Sequence, residues 1–311
     1  MSLAPFVQIV ARGKGRGRSM CFEEAHDAMT LILNNEAAPE AIGALFMVMR
    51  MRGETAEEIA GFTAALRAHV EGALPPADLD WPTYAAGRSR GAPLFLLSAR
   101  LVAQAGFTVS MHGWNSHQSK SASVRDALEW AGPQVRYDAL EDLCPRAFDL
   151  LRLRDVLGLR SCFNTVLRMW NPSGAGVSVQ GVFHPSYRGL QTSAAEILGD
   201  KSLVVIKGGG GEFERHPAKD ISVFGWYNQK HISETATALL NKKRRLHEGQ
   251  EAYDLADFWR GESTDNFAIA TVTGTAAIAL WSLKAARTME DAHQLAAILW
   301  RDRFQPERLS A

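Results

Sequence analysis

At 311 residues, with 46% hydrophobic and 22% charged side chains, the chain is long enough for one large or two modest domains with a sizeable core. Its 34 basic and 34 acidic residues cancel to a formal net charge of +0, which excludes a global basic field and leaves only local patches to hold a nucleic acid. Cys21, Cys144 and Cys162 stand far apart without a CxxC spacing, which argues against a zinc site or a disulfide framework and predicts a reduced, cytoplasmic setting. No apolar run is long enough to span a bilayer or to read as a signal peptide.

In chain order, residues 22–34 place Phe22, Ala25, Met29, Ile32 and Leu33 on one helical face. Pro39 opens a second helix, "AIGALFMVMRM", apolar enough to be buried on most sides. Thr55 and Glu58 then have capping-box spacing ahead of Ile59, Phe62 and Leu66. Prolines and lost periodicity make 71–82 a linker. Beyond it, the runs "FTVSM" (107–111), "VSVQGVF" (177–183) and "SLVVIK" (202–207) read as strands. Helical stretches at 93–105, 123–131 and 186–198 separate them, which predicts a mostly parallel sheet covered by helices. Two further helices close the chain. The glycines at 208–211 fit a tight strand-to-loop turn better than a dinucleotide fingerprint.

The run "FEEAHDAMTLILNNEAAPEAIGALFMVMRMRGETAEEIAGFTAALR" resembles the N-terminal helical domain of the anthranilate phosphoribosyltransferase family. "LGLRSCFNTVLRMWNPSGAGVSVQGVFHP" and "LVVIKGGGGEFE" are similar to later motifs of that family, in order, and "LDWPTYAAGRSRGAP", "GVFHPSYR" and "WRG" are closer to its divergent YbiB-type branch, often labelled a glycosyl transferase family. The resemblance implies an α/β fold with a separate helical domain, the class IV phosphoribosyltransferase and nucleoside phosphorylase-like fold with a mostly parallel central sheet. The helical domain would comprise 1–73 plus an excursion near 146–172, and the α/β domain 74–145 and 173–311. A homodimer through the helical domains is also implied.

What the resemblance implies about chemistry is mixed. At the pyrophosphate turn, Gly87 and Gly91 offer close backbone approach, and Arg88 and Arg90 offer charge. The next phosphate loop falls on Met111, His112, Gly113 and Trp114, so a lysine position carries a methionine. Ser119, Lys120, Ser121 and Ser123 lie at a second phosphate-contacting loop, where Ser121 or Ser123 equally reads as a plain helix cap. Of the metal-binding pair only Glu214 survives, with Glu212 as a substitute ligand; magnesium enters only if the phosphosugar, phosphoribosyl pyrophosphate, is still bound. Arg154 aligns with the acceptor-carboxylate arginine, and Arg160 is an alternative; both also read as solvated surface. His112 reads equally as a packed histidine. These losses predict weak or absent anthranilate transfer and leave catalytic residues unassigned.

Two basic runs remain. Arg12, Lys14, Arg16 and Arg18 are spaced by glycines, and Lys242, Lys243, Arg244 and Arg245 form the second. Such spacing can follow a phosphate backbone, and Trp81, Tyr84 and Trp114 would stack on bases if exposed. The YbiB-type resemblance adds weight to a nucleic-acid-binding homodimer, with single-stranded nucleic acid as partner. The alternative is an active phosphoribosyl or glycosyl transferase with an unidentified acceptor.

Overall fold

The computed structural model describes residues 2–13, 15–70, 74–84, 91–114, 122–241, 244–246 and 254–304. Four helices open the chain: α1 (Ala4–Ala11), α2 (Phe22–Leu33), α3 (Pro39–Arg52) and α4 (Ala56–His69). The predicted capping box starts α4: the Glu58 amide donates to Thr55 Oγ1 at 3.3 Å, and Glu58 Oε2 accepts the Thr55 amide at 2.9 Å. Helix α3 is buried on one face rather than on most. Ile42, Leu45, Phe46 and Met49 follow the i, i+3, i+4, i+7 stripe into the core, while Met51 falls off that stripe and is 82% exposed.

Next come β1 (Leu79–Thr83), α5 (Phe95–Gln104), β2 (Val109–Gly113), a 3-10 helix at Arg125–Ala131 and β3 (Val135–Ala139). Helices α6 (Leu140–Leu143), α7 (Pro145–Leu157) and α8 (Phe163–Arg168) follow, then β4 (Val177–Val182), α9 (Ser186–Leu198) and β5 (Ser202–Lys207). The chain ends through β6 (Ile221–Tyr227), β7 (Lys230–Ala236), α10 (Leu255–Arg260), α11 (Asn266–Ser282) and α12 (Met289–Arg301).

The seven strands form one sheet in the order β3-β2-β1-β4-β5-β6-β7, parallel as far as β5 and antiparallel for its last two pairings. Two expectations change here. The expected linker at 71–82 runs into β1, whose five residues are all buried. Pro82 is tolerated in this central strand because β4 pairs only with Leu79 and Asp80, so the position without an amide lies beyond that ladder. The stretch expected as a helix at 123–131 is a 3-10 turn, with the Ala127 amide bonded to the Val124 carbonyl.

Strand alternation divides the core. On β5, Val204 and Ile206 face a cluster with α5, α11 and α12, whereas Leu203 and Val205 face the cluster that contains the N-terminal helices, α7, α8 and α9. Arg67 of α4 fastens the bundle to the sheet. Its guanidinium donates to Asp200 at 2.6 and 3.1 Å and to the carbonyls of Met169 and Trp170 at 2.6 and 2.9 Å. The result is a helical bundle on an α/β unit with a mostly parallel sheet.

Candidate functional site

From β1 the chain builds outward to β2 and β3, then returns to place β4 and β5 on the other side. In such sheets ligands enter the crevice outside the carboxyl ends of the strands where the order reverses, here β1 and β4. A cleft with about 80 Å³ of free space opens there, between Val182, Phe183 and His184 at the end of β4 and side chains of α3, α8 and α9.

Three guanidinium groups line the cleft. Arg168, on α8, is buried and held by two carbonyls: Nη1 donates to Asn164 at 3.1 Å and Nη2 to Tyr84 at 2.9 Å. Arg50, on α3, reaches the Tyr187 hydroxyl at 3.4 Å, and that hydroxyl donates to Glu54 Oε2 at 3.0 Å. Arg160 is half-buried and, among the described residues, makes no hydrogen bond or ion pair. Burial, with Arg154, Arg168 and Arg50 nearby, lowers its pKa to about 10. An unpaired, partly desolvated cation with cationic neighbours is poised to accept an anion. Arg154 contributes to this field without lining the cleft, whereas the alternative residue, Arg160, lines it.

The phosphate-loop candidates divide. Gly87, Arg88, Arg90, Ser119, Lys120 and Ser121 lie outside the described residues. Gly91 is buried at φ +88°, a conformation that favours glycine. Ser123 caps the 3-10 turn, accepting the Asp126 amide at 3.2 Å. His112 and Gly113 turn inward. His112 is fully buried: Nδ1 is 2.8 Å from the Tyr84 hydroxyl, and Nε2 is 3.1 Å from Asp80 Oδ1. The N–H direction misses that oxygen, so the second contact is electrostatic rather than a straight hydrogen bond. A Cβ on Gly113 would lie 2.1 Å from the Thr83 carbonyl, which explains glycine by packing alone. Met111, at the family's lysine position, is buried in the core.

The expected base-stacking aromatics are also committed. Trp81 is buried between Phe95 and Phe213, Tyr84 is 3% exposed, and Trp114 meets Phe148 edge-on at 5.1 Å.

Glu212 and Glu214 sit where expected, after the glycine turn. There Gly210 and Gly211 have φ +64° and +93°, and a Cβ on Gly208 would strike the Glu212 carbonyl at 1.6 Å. Both carboxylates are fully buried; Glu214 Oε2 accepts the Phe95 amide at 3.1 Å, and Glu212 acts electrostatically on Arg168. Among the described residues no group of three His, Cys, Asp or Glu side chains converges on a metal position. Two carboxylates are too few for an all-protein cation cage, whereas magnesium ordinarily takes one or two carboxylates together with waters and substrate phosphates.

The basic runs pack on different elements. Arg12, Arg16 and Arg18 are exposed beside α3, and Arg18 grips both oxygens of Glu24 at 2.6 Å. Arg244 pairs with Asp265 and stacks 4.3 Å over Phe267, and Arg245 is exposed. Lys14, Lys242 and Lys243 lie outside the described residues. No helix among the described residues is long and apolar enough to cross a membrane.

Sequence reasoning missed Arg50 and Tyr187. Arg50 belongs to no motif singled out from the sequence, and only the fold carries it to β4. The "GVFHPSYR" run held the usable signal, because it supplies both the Phe183–His184 rim and Tyr187.

Residues 10–70 match the glycosyl transferase family helical bundle domain. An anthranilate phosphoribosyltransferase of Agrobacterium fabrum is 30% identical over 227 residues, and this match covers 67% of the present chain and 64% of that relative. The crystal structure of anthranilate phosphoribosyltransferase from Thermus thermophilus superposes with a TM-score of 0.78 at 19% identity, over 99% of this chain and 98% of the other. The Saccharomyces cerevisiae enzyme in complex with PRPP and Mg gives 0.72 at 16% identity, over 99% and 95%. Bundle, sheet and motif order thus agree: the chain belongs to the anthranilate phosphoribosyltransferase-like group of the glycosyl transferase family.

Proposed function

We propose that the chain is a phosphoribosyl or glycosyl transferase whose acceptor is a small carboxylic acid, seated by Arg50, Arg160 and Arg168. The observation that carries this reading is the Arg160 guanidinium: half-buried, without a partner among the described residues, and lowered to about 10 by burial and neighbouring cations. An acceptor carboxylate would give it a charge-assisted bond worth about 1.5–3 kcal/mol. Arg168, fixed by two carbonyls, orients the acid, and Phe183, 50% exposed at the rim, offers its ring a face. The names of the relatives, with anthranilate as acceptor and PRPP as donor, support the same reading.

The test is calorimetric titration with anthranilate and benzoate, and thermal stabilisation by phosphoribosyl pyrophosphate with and without magnesium. Carboxylate binding that falls at least tenfold in Arg160→Gln, together with stabilisation by the phosphosugar, supports the transferase. Acid binding indifferent to Arg160, or no response to the phosphosugar, overturns it.

A homodimer joined through the bundle is supported by the exposed apolar residues Met51 and Val156, both 82% exposed, on the adjoining helices α3 and α7. Light scattering tests it. Nucleic-acid binding keeps one observation in its favour, the exposed Arg12 and Arg16. Anisotropy of a labelled single strand, falling steeply with salt and lost in Arg12→Glu/Arg16→Glu, would sustain it.

A further inference from the structure

The glycine turn at 208–211 has a second cavity, of about 330 Å³, which shares no lining residue with the arginine cleft. Three cations reach it from three separate elements: Arg188 from α9, Lys207 from the end of β5, and Lys219 from the turn before β6.

Arg188 is held in place. Its guanidinium lies 4.4 Å over the Phe224 ring, while Nε donates to the Pro185 carbonyl at 3.2 Å and Nη1 to the Ser222 carbonyl at 3.3 Å. Lys207 and Lys219 are exposed, and neither has an ion-pair partner among the described residues. The negative groups at the wall are already engaged. Glu214 accepts the Phe95 amide at 3.1 Å, and Asp220 Oδ1 accepts the Ala238 amide at 2.8 Å. His216 uses both nitrogens: Nε2 donates to the Arg244 carbonyl at 2.9 Å, and Nδ1 accepts the Ala218 amide at 3.2 Å. It therefore stands as a neutral wall and does not compete for an anion. Gly208–Gly210 carry no side chains, so a ligand can approach their backbone. Ile221 and Leu246 add an apolar side.

We propose that this cavity is a binding site for a phosphomonoester dianion, held by Arg188, Lys207 and Lys219 against the glycine turn. The cations suit a compact double charge, and the apolar side leaves room for a small organic body such as a sugar ring. The proposal is independent of the carboxylate cleft, since the two cavities have no residue in common.

The experiment is calorimetric titration with inorganic phosphate and with ribose 5-phosphate, on the unmodified chain, the Lys207→Gln/Lys219→Gln variant and Arg160→Gln. Both lysines are exposed, so the double variant keeps its ligand-free melting temperature, which checks the fold. We expect the double variant to lose at least thirtyfold in affinity for both probes, and Arg160→Gln to bind as the unmodified chain does. Ribose 5-phosphate binding tenfold tighter than phosphate identifies a phosphorylated sugar as the occupant; equal affinities identify the free anion, and either supports the site. Lysine variants that bind normally, loss of binding in Arg160→Gln alone, or no heat from either probe at millimolar concentration overturns it.

Discussion

Two polar regions at the carboxyl ends of the strands have opposite characters. At the ends of β1 and β2, Asp80, Tyr84 and His112 are buried against one another, with a Tyr84–His112 hydrogen bond, an electrostatic His112–Asp80 contact, and Ser178 donating to Asp80 at 2.8 Å. At the end of β4, Arg50, Arg160 and Arg168 face a cleft, and Arg160 has no partner among the described residues. The first region is closed inside the core, whereas the second opens on a cleft that a ligand can enter. A motif residue is therefore not a site residue until its partners are known: His112 aligns with a ligand loop yet serves the core.

The contrast is broken most sharply at His112. His112→Ala leaves the Asp80 carboxylate and the Tyr84 hydroxyl buried without their partner, and the expected loss is about 3–5 kcal/mol in urea denaturation. A loss below about 1 kcal/mol would mean that the network is not structural. Gly181→Ala comes next. A Cβ there would lie 2.1 Å from the Glu212 carbonyl, and backbone cannot swing aside as a side-chain end can. Equilibrium unfolding should show about 1–3 kcal/mol of destabilisation.

Arg160→Gln probes the other side of the comparison, with an effect on binding and not on folding. Carboxylate affinity should drop about tenfold to a hundredfold. The ligand-free melting temperature should stay the same or rise, because one of several neighbouring cations is removed. A fall in melting temperature with unchanged affinity would place Arg160 with the structural group.

Much of the fold was readable because local signals agreed with it. Thr55 and Glu58 announce α4, the β-branched run at 202–207 announces β5, and the family motifs carry the architecture. What escaped lacked those signals. In β3, Arg136 and Asp138 interrupt the apolar pattern and are reconciled only by their own pairing at 2.9 Å and by Arg136 donating to Ser110 at 2.7 Å. The β6–β7 hairpin turns through Asn228 and Gln229 at φ +46° and +59°, without the Asn-Gly that usually marks such a turn. In β7 the exposed edge is mostly polar, and only Ile232 and Ala236 reach the core. The arginine cleft was half legible. Arg160 lay in a motif, but Arg50 stands 110 positions earlier, and only the packing of α3 against the rest brings them together.

The smallest effect concerns a polar contact at the surface, the Arg18–Glu24 pair. The Arg18 guanidinium bonds both carboxylate oxygens and holds the Glu24 carboxyl at about 2, against 4.5 when free. A carboxyl lowered by folding stabilises the fold where it is ionised in both states, above the free value. That contribution is lost as the pH falls from about 5 towards 2. Arg18 is 59% exposed, so water and salt screen the pair, and its worth is only a small part of the full shift. Glu24→Gln should therefore cost that small part at pH 7 and nothing near pH 2, with the gap narrowing in high salt. A gap that is constant across this range would assign the cost to the Cys21 amide, which Glu24 Oε2 accepts at 3.0 Å, and not to the arginine.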